Sequence, residues 1–178
     1  MGKAFQHFKT ITRHRHEVIR NCRRAGILWQ GLRHDLSKYS PTEFLQGAKY
    51  WQGTRSPNDR EREVKGYSDA WMHHKGRNKH HFEYWVDYSL DKEHVIMGAK
   101  MPRKYVAEMA MDRISASRNY MEDTYTDRAP LDYFLKSKEA LWFIHPQTKK
   151  ELEGLLTILS RYGEERMLWY VKNRYLKK

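Results

Sequence analysis

Residues 102–116 read PRKYVAEMAMDRISA. The leading proline suits the first position of a helix, where its missing N–H costs nothing. Val106, Met109, Ala110 and Ile114 then recur at steps of three and four, so one face of a helix turns inward. The same helix carries Asp112 beside Ser115 and Ala116, a small polar face that suits a buried ligand. Outward from this stretch the helical period repeats. Residues 4–25 set Phe5, Phe8, Ile11, Val18, Ile19 and Cys22 on one stripe, with Gly26 placed to stop the helix. Ser40, Pro41, Thr42 and Glu43 form a capping box that opens a helix to about Trp51. Shorter helices are expected around Tyr67, Ala70, Trp71 and His74, and from a cap at Asn78 through His81, Tyr84 and Trp85. Another covers residues 131–141. A last pair begins at Pro146, with Thr148 and Glu151 as a second capping box, and is divided by Gly163. Residues 52–63 and 122–130 are polar and read as loops. No segment alternates apolar and polar residues over a strand's length. The expected fold is an all-α, single-domain helical bundle.

Composition agrees with one domain. The chain has 178 residues, 39% hydrophobic and 13% aromatic, enough for a core and against general disorder. No run approaches a membrane span, the first residues lack the apolar stretch of a secretory signal, and the lone Cys22 excludes an internal disulfide. A cytoplasmic protein without a membrane role is the expectation. Lys and Arg number 34 against 22 Asp and Glu, a net charge of +12. Residues 1–50 alone carry +7. Such a surface keeps a protein soluble and also attracts polyanions: phosphate-bearing small molecules, nucleotides or nucleic acid.

The chemistry sits in the histidines. Four of the ten fall within residues 73–81, HHKGRNKHH, and another is followed by a carboxylate, His34 then Asp35. Imidazole and carboxylate together form the ligand set of divalent transition-metal sites. Each piece alone has an ordinary explanation as a helix cap or surface group. Their order is more specific: His14, His34 and Asp35, His74 with His80 or His81, then Asp112.

That H…HD…H…H…D order resembles the HD-domain superfamily, all-helical and mostly metal-dependent phosphohydrolases. His34 to Lys38 (HDLSK) looks like its HDxxK segment, and His14 is followed four residues on by Val18, as the superfamily's first histidine helix usually reads. A closer resemblance is to a small bacterial and phage family of unknown function with motifs HDLSKxSPxEF, HHxxxNxHHxxYW and MPxKYVxEMxxD. These stand here at residues 34–44, 73–85 and 101–112. The resemblance covers about residues 10–120, leaving 121–178 as a helical extension of the same domain, and it departs at Arg113, where an aromatic is expected.

The resemblance implies one or two divalent ions (Mn, Fe, Zn, Ni or Mg). His14, His34, Asp35 and Asp112 would hold one. His74 with His80 or His81 would hold a second, with Asp35 shared. Helical geometry does not choose between His14 and His16; the spacing to Val18 favours His14. Lys38 and Arg77, with Lys75 and Lys79, are the candidate phosphate contacts. Glu108, one turn before Asp112, is a candidate ligand, general base or partner of a histidine. The implied function is hydrolysis of a nucleotide or other phosphate ester. The alternatives are a nucleic-acid or phosphate-ligand binding module and an HD-like di-iron oxygenase.

Overall fold

The computed structural model describes residues 2–177. Helix α1 (Lys3–Arg24) is the spine, and α2 (Leu28–Arg33), α3 (Pro41–Tyr50) and α6 (Arg103–Met121) pack on it. Helix α4 (Pro57–Lys65) and α5 (Asp69–Lys75) lie against α3, while α7 (Ala129–Ser137) and α8 (Pro146–Tyr170) close the far side of α6. A two-stranded antiparallel hairpin, β1 (Val86–Tyr88) with β2 (Ile96–Gly98), pairs Asp87 with Met97. The fold is all-α, a single helical domain with that hairpin as its only sheet among the described residues. No helix of the described residues is long and apolar enough to cross a membrane.

The core follows the helical period. Val106, Met109, Ala110 and Ile114 are buried with Val18 and Cys22 of α1 and with Leu152, Leu155, Leu156 and Leu159 of α8. Removing such side chains from water is the main stabilising contribution, about 1.5–3 kcal/mol for each large one. Gly31 explains the closeness of α2 to α1: a Cβ there would lie 2.7 Å from the Cys22 Cβ. The following residues, His34 and Asp35, are thereby held against α1.

Several expectations need correction. Phe5 and Phe8 are exposed, because at these turns α1 sets His7 against α3 and Phe8 only meets Tyr39 and Phe44 edge-on. Residues 57–63 of the expected loop belong to α4, which runs on to Lys65. Ser56 caps it by accepting from the Asn58 N–H, Pro57 is its first residue, and Glu61 is buried on it. Tyr67 precedes α5, and Asn78 caps no α-helix; a 3₁₀ turn covers Phe82–Trp85. The hairpin escaped notice because three-residue strands are too short to show alternation. Helix α7 ends at Ser137, short of Leu141, and Glu122–Thr124 forms a 3₁₀ turn. His145 caps α8, leaving Thr148 to accept from the Met101 N–H, and Gly163 interrupts the helix with a φ of 80°.

Candidate metal centre

Four stretches of backbone meet at one point. The fourth turn of α1 brings His14, whereas His16 on the same helix is exposed. The end of α2 brings His34. Arg15 secures it by donating to the carbonyl oxygens of Leu32 at 2.6 Å and His34 at 3.2 Å. Asp35 follows in the left-handed region, φ 53°, which turns its carboxylate away from the path of α2. Asn and Asp tolerate this conformation better than other residues with a Cβ. Asp112 comes from the middle of α6. His74 ends α5, and His80 and His81 follow in the turn after it. Asn78 holds that turn by donating to the His74 carbonyl at 2.9 Å and to Ser37 Oγ at 2.8 Å.

Two ligand groups result, and they share one residue. In the first, His14 Nε2 lies 3.0 Å from Asp112 Oδ1 and 3.8 Å from Asp35 Oδ2. His34 Nε2 lies 3.3 Å from Asp35 Oδ2 and 3.4 Å from Asp112 Oδ1. In the second, Asp35 Oδ1 is 3.2 Å from His74 Nε2 and 3.5 Å from His80 Nε2, and His81 Nε2 is 2.9 Å from that of His74. Ligand atoms held about 2.0–2.2 Å from one ion must themselves stand roughly 3–3.5 Å apart. Every spacing but the 3.8 Å from His14 to Asp35 meets that requirement to within about 0.1 Å. The nitrogens His14 Nε2, His34 Nε2 and His80 Nε2 and the oxygen Asp35 Oδ1 are buried without a well-aligned hydrogen bond, while Asp35 Oδ2 meets Lys38 Nζ. Buried polar atoms are ordinarily bonded, so orphaned donor atoms facing a common point fit cation ligands.

Two further carboxylates orient the rings from behind. One oxygen of Glu108 lies 3.0 Å from His34 Nδ1 and 3.1 Å from His80 Nδ1. Glu43 reaches His73 Nδ1 at 2.6 Å and His74 Nδ1 at 2.8 Å. Burial would raise both carboxyl groups, but the histidine contacts outweigh it and hold them below the usual range. An ionised carboxylate only accepts, so Nδ1 of each ring donates to it, and in His34, His74 and His80 it is Nε2 that faces the centre. Glu108 is thus in contact with two of the histidines, and the three together form a further buried group that could itself hold a cation. Glu43 was legible only as a helix-capping residue; the capping bond from its N–H to Ser40 Oγ is present, at 3.5 Å.

The charges around the centre are strongly coupled. Burial would raise Asp35 and Asp112, yet both lie well below the ordinary carboxylate range because of neighbouring histidines and, for Asp35, Lys38. Burial opposes protonation of His34 and His74, but Asp35 and the other carboxylates raise both. His14 and His81 are lowered, chiefly by burial. Lys38 Nζ is 2.7 Å from Asp35 Oδ2, partly exposed, and raised by that carboxylate against the cost of burial.

Arg77 stands apart: it is exposed and donates to the His73 carbonyl at 3.2 Å. Lys79 lies over the Tyr84 and Tyr105 rings. Arg113 has buried Nε and Nη1 atoms without hydrogen-bond partners, and its guanidinium lies 5.7 Å from the ring centres of Phe82, Tyr133 and Phe134. A cation packed among aromatic rings is stabilised by their faces.

No curated protein matches the chain, and no solved structure matches it. The model of a family of unknown function matches residues 3–158, from the first turn of α1 into α8. That span contains every residue of both ligand groups and reaches well past residue 120, so α7 and the first half of α8 are part of the family's pattern too. The chain belongs to this family of unknown function, DUF5662.

Proposed function

We propose that the protein is a two-metal phosphohydrolase acting on a phosphate ester. The observation that carries this reading is the position of Asp35, whose Oδ2 faces His14 and His34 while its Oδ1 faces His74 and His80. One carboxylate shared by two ligand groups suits two adjacent cations. Such ions would supply an activated water and a Lewis acid for a phosphoryl oxygen. Five imidazoles against two carboxylates favour Mn, Fe, Zn or Ni over the oxygen-seeking Mg.

The chain's own groups have separable tasks. Glu108 and Glu43 fix the rings and their tautomers. Lys38 holds Asp35 and keeps a positive charge at the edge of the centre, where an incoming phosphate would meet it. The ordered HD-type motifs and the basic first fifty residues support the same assignment.

Elemental analysis of untagged protein should find about two equivalents of transition metal. The loaded protein should cleave p-nitrophenyl phosphate, and Asp35→Asn should abolish turnover. Protein that takes up no metal would overturn the proposal. Oxygen consumption by an iron-loaded form without phosphatase activity would favour an oxygenase. Tight, steeply salt-dependent binding of long single strands without metal-dependent turnover would favour a nucleic-acid module.

A further inference from the structure

Beside the second ligand group the structure encloses a cavity of about 60 Å³. His74 and Lys38 lie on its wall, so it opens from the centre itself. The rest is built by α1, α3, α4 and α6, with Thr10, Ser56, Asn58 and Tyr120 supplying hydroxyl and amide groups. His7 completes it. That ring is 94% buried, as its 6% exposure gives, and its Nδ1 has no hydrogen-bond partner. It fits only because position 47 is glycine; a Cβ on that residue would collide with the Nε2 edge of the imidazole. Burial, reinforced by Lys38, lowers its pKa to about 4, so it is neutral near pH 7.

We infer that this cavity receives the non-reacting part of the substrate, and that this part is a small, uncharged, hydroxyl-bearing body such as a glycerol or short sugar unit. The inference rests on the phosphohydrolase reading and narrows it. Three observations define the body. A water needs about 10–15 Å³ of such space, so the cavity takes roughly four to six water-sized groups. A nucleoside is several times larger. The wall offers donors and acceptors to a hydroxyl-bearing body, the hydroxyls of Thr10, Ser56 and Tyr120 and the amide of Asn58. It leaves no charge for the body itself: Glu43 is committed to His73 and His74, and Lys38, held by Asp35, is the group that meets the phosphate. The rings on its wall, His7 and Tyr120, stand among hydroxyl and amide groups in a space too small for a base to lie on them. A phosphate at Lys38 with a polyol extending toward His7 satisfies all three.

The test is calorimetric binding to the full-length, Mn-loaded protein, with turnover measured on the same samples. The probes are glycerol phosphate, ribose phosphate and adenosine monophosphate. The two sugar-sized esters should bind more tightly than the nucleotide. Thr10→Leu fills the cavity from α1, where the threonine hydroxyl bonds only its own helix at the Gln6 carbonyl. It should weaken glycerol phosphate about tenfold while metal content is retained. Asn58→Leu approaches from α4 and gives the same reading should the first variant fold poorly. Adenosine monophosphate binding most tightly, and unaffected by either variant, would overturn the cavity assignment and leave the hydrolase standing. Glycerol phosphate that binds in a Thr10-dependent way without being cleaved would support the cavity and sink the hydrolase. Failure of every ester to bind would overturn the inference.

Discussion

Glu108 offers the sharpest test of the centre, because a single carboxylate oxygen serves one ring from each ligand group. Replacing it with alanine removes the acceptor for His34 Nδ1 at 3.0 Å and His80 Nδ1 at 3.1 Å together. Partners of this kind typically change metal affinity by about 10–100-fold each. Two affected ligands therefore give a combined loss of roughly 10²–10⁴, provided the effects multiply. The fold suffers as well: each buried N–H left unpaired costs about 1–3 kcal/mol. Glu108→Gln is the milder variant. Its amide oxygen can still accept both protons but without the charge, and a loss nearer tenfold is expected. The measurement is competition with a chelator, followed at both metal equivalents, alongside urea unfolding of the stripped protein. The decisive feature is that both equivalents weaken. If Glu108→Ala bound both ions with wild-type affinity, or lost only one, the shared-acceptor argument would be refuted.

Glu43→Gln should weaken only the second equivalent, since His74 belongs to that group alone; His74→Ala should do the same and His94→Ala should not, His94 being an exposed partner of Asp91. Gly47→Ala should destabilise the protein by about 1–3 kcal/mol in urea through its collision with His7, and His7→Ala in the same chain should recover part of that loss. Stripped of metal, the protein should lose stability in steps as pH falls. His7, His14 and His81 are lowered mainly by burial, so their contribution fades as pH drops through about 6.5. Asp35 and Asp112 lie below their usual value despite burial, so theirs disappears in turn below about pH 4. His34 and His74 are raised and act in the opposite sense, contributing fully below about 6.5 and fading as pH rises through their higher values. A melting temperature that stays flat from neutral pH down to pH 3 would contradict this account.

Much of the arrangement is legible in the residues. The step of three and four from Val106 to Ile114 gives α6, and the order of the histidines and aspartates gathers residues far apart in sequence at one point. What escapes is whatever depends on contacts across space. Glu43 reads locally as the third residue of a capping box, and nothing in the chain near it announces that two histidines thirty residues later will claim its side chain. Glu61 looks like one charge among many in residues 59–63, yet it is buried and accepts from Ser68 Oγ at 2.6 Å and from the Asp69 and Ala70 N–H groups. The start of α4 was visible after all: Ser56 and Pro57 repeat the pattern of Ser40 and Pro41, but the charged residues that follow concealed a helix whose apolar support is slight. Phe5 and Phe8 show the converse, apolar residues left outside while the histidine between them takes the buried place on α3. His7 had no signal of its own, since its place depends on the missing side chain of Gly47.

The left-handed backbone at Asp35 restricts how this protein could change over generations. That position asks for a carboxylate and also for a backbone that most residues adopt only at a cost. The alternatives open to a descendant are few: Asn and Gly keep the turn, whereas Glu, with the right charge, strains it. A branch that abandoned its chemistry would thus be expected to drift toward Asn or Gly at position 35 while His14, His34 and Asp112, on ordinary helical backbone or at a helix end, were free to scatter.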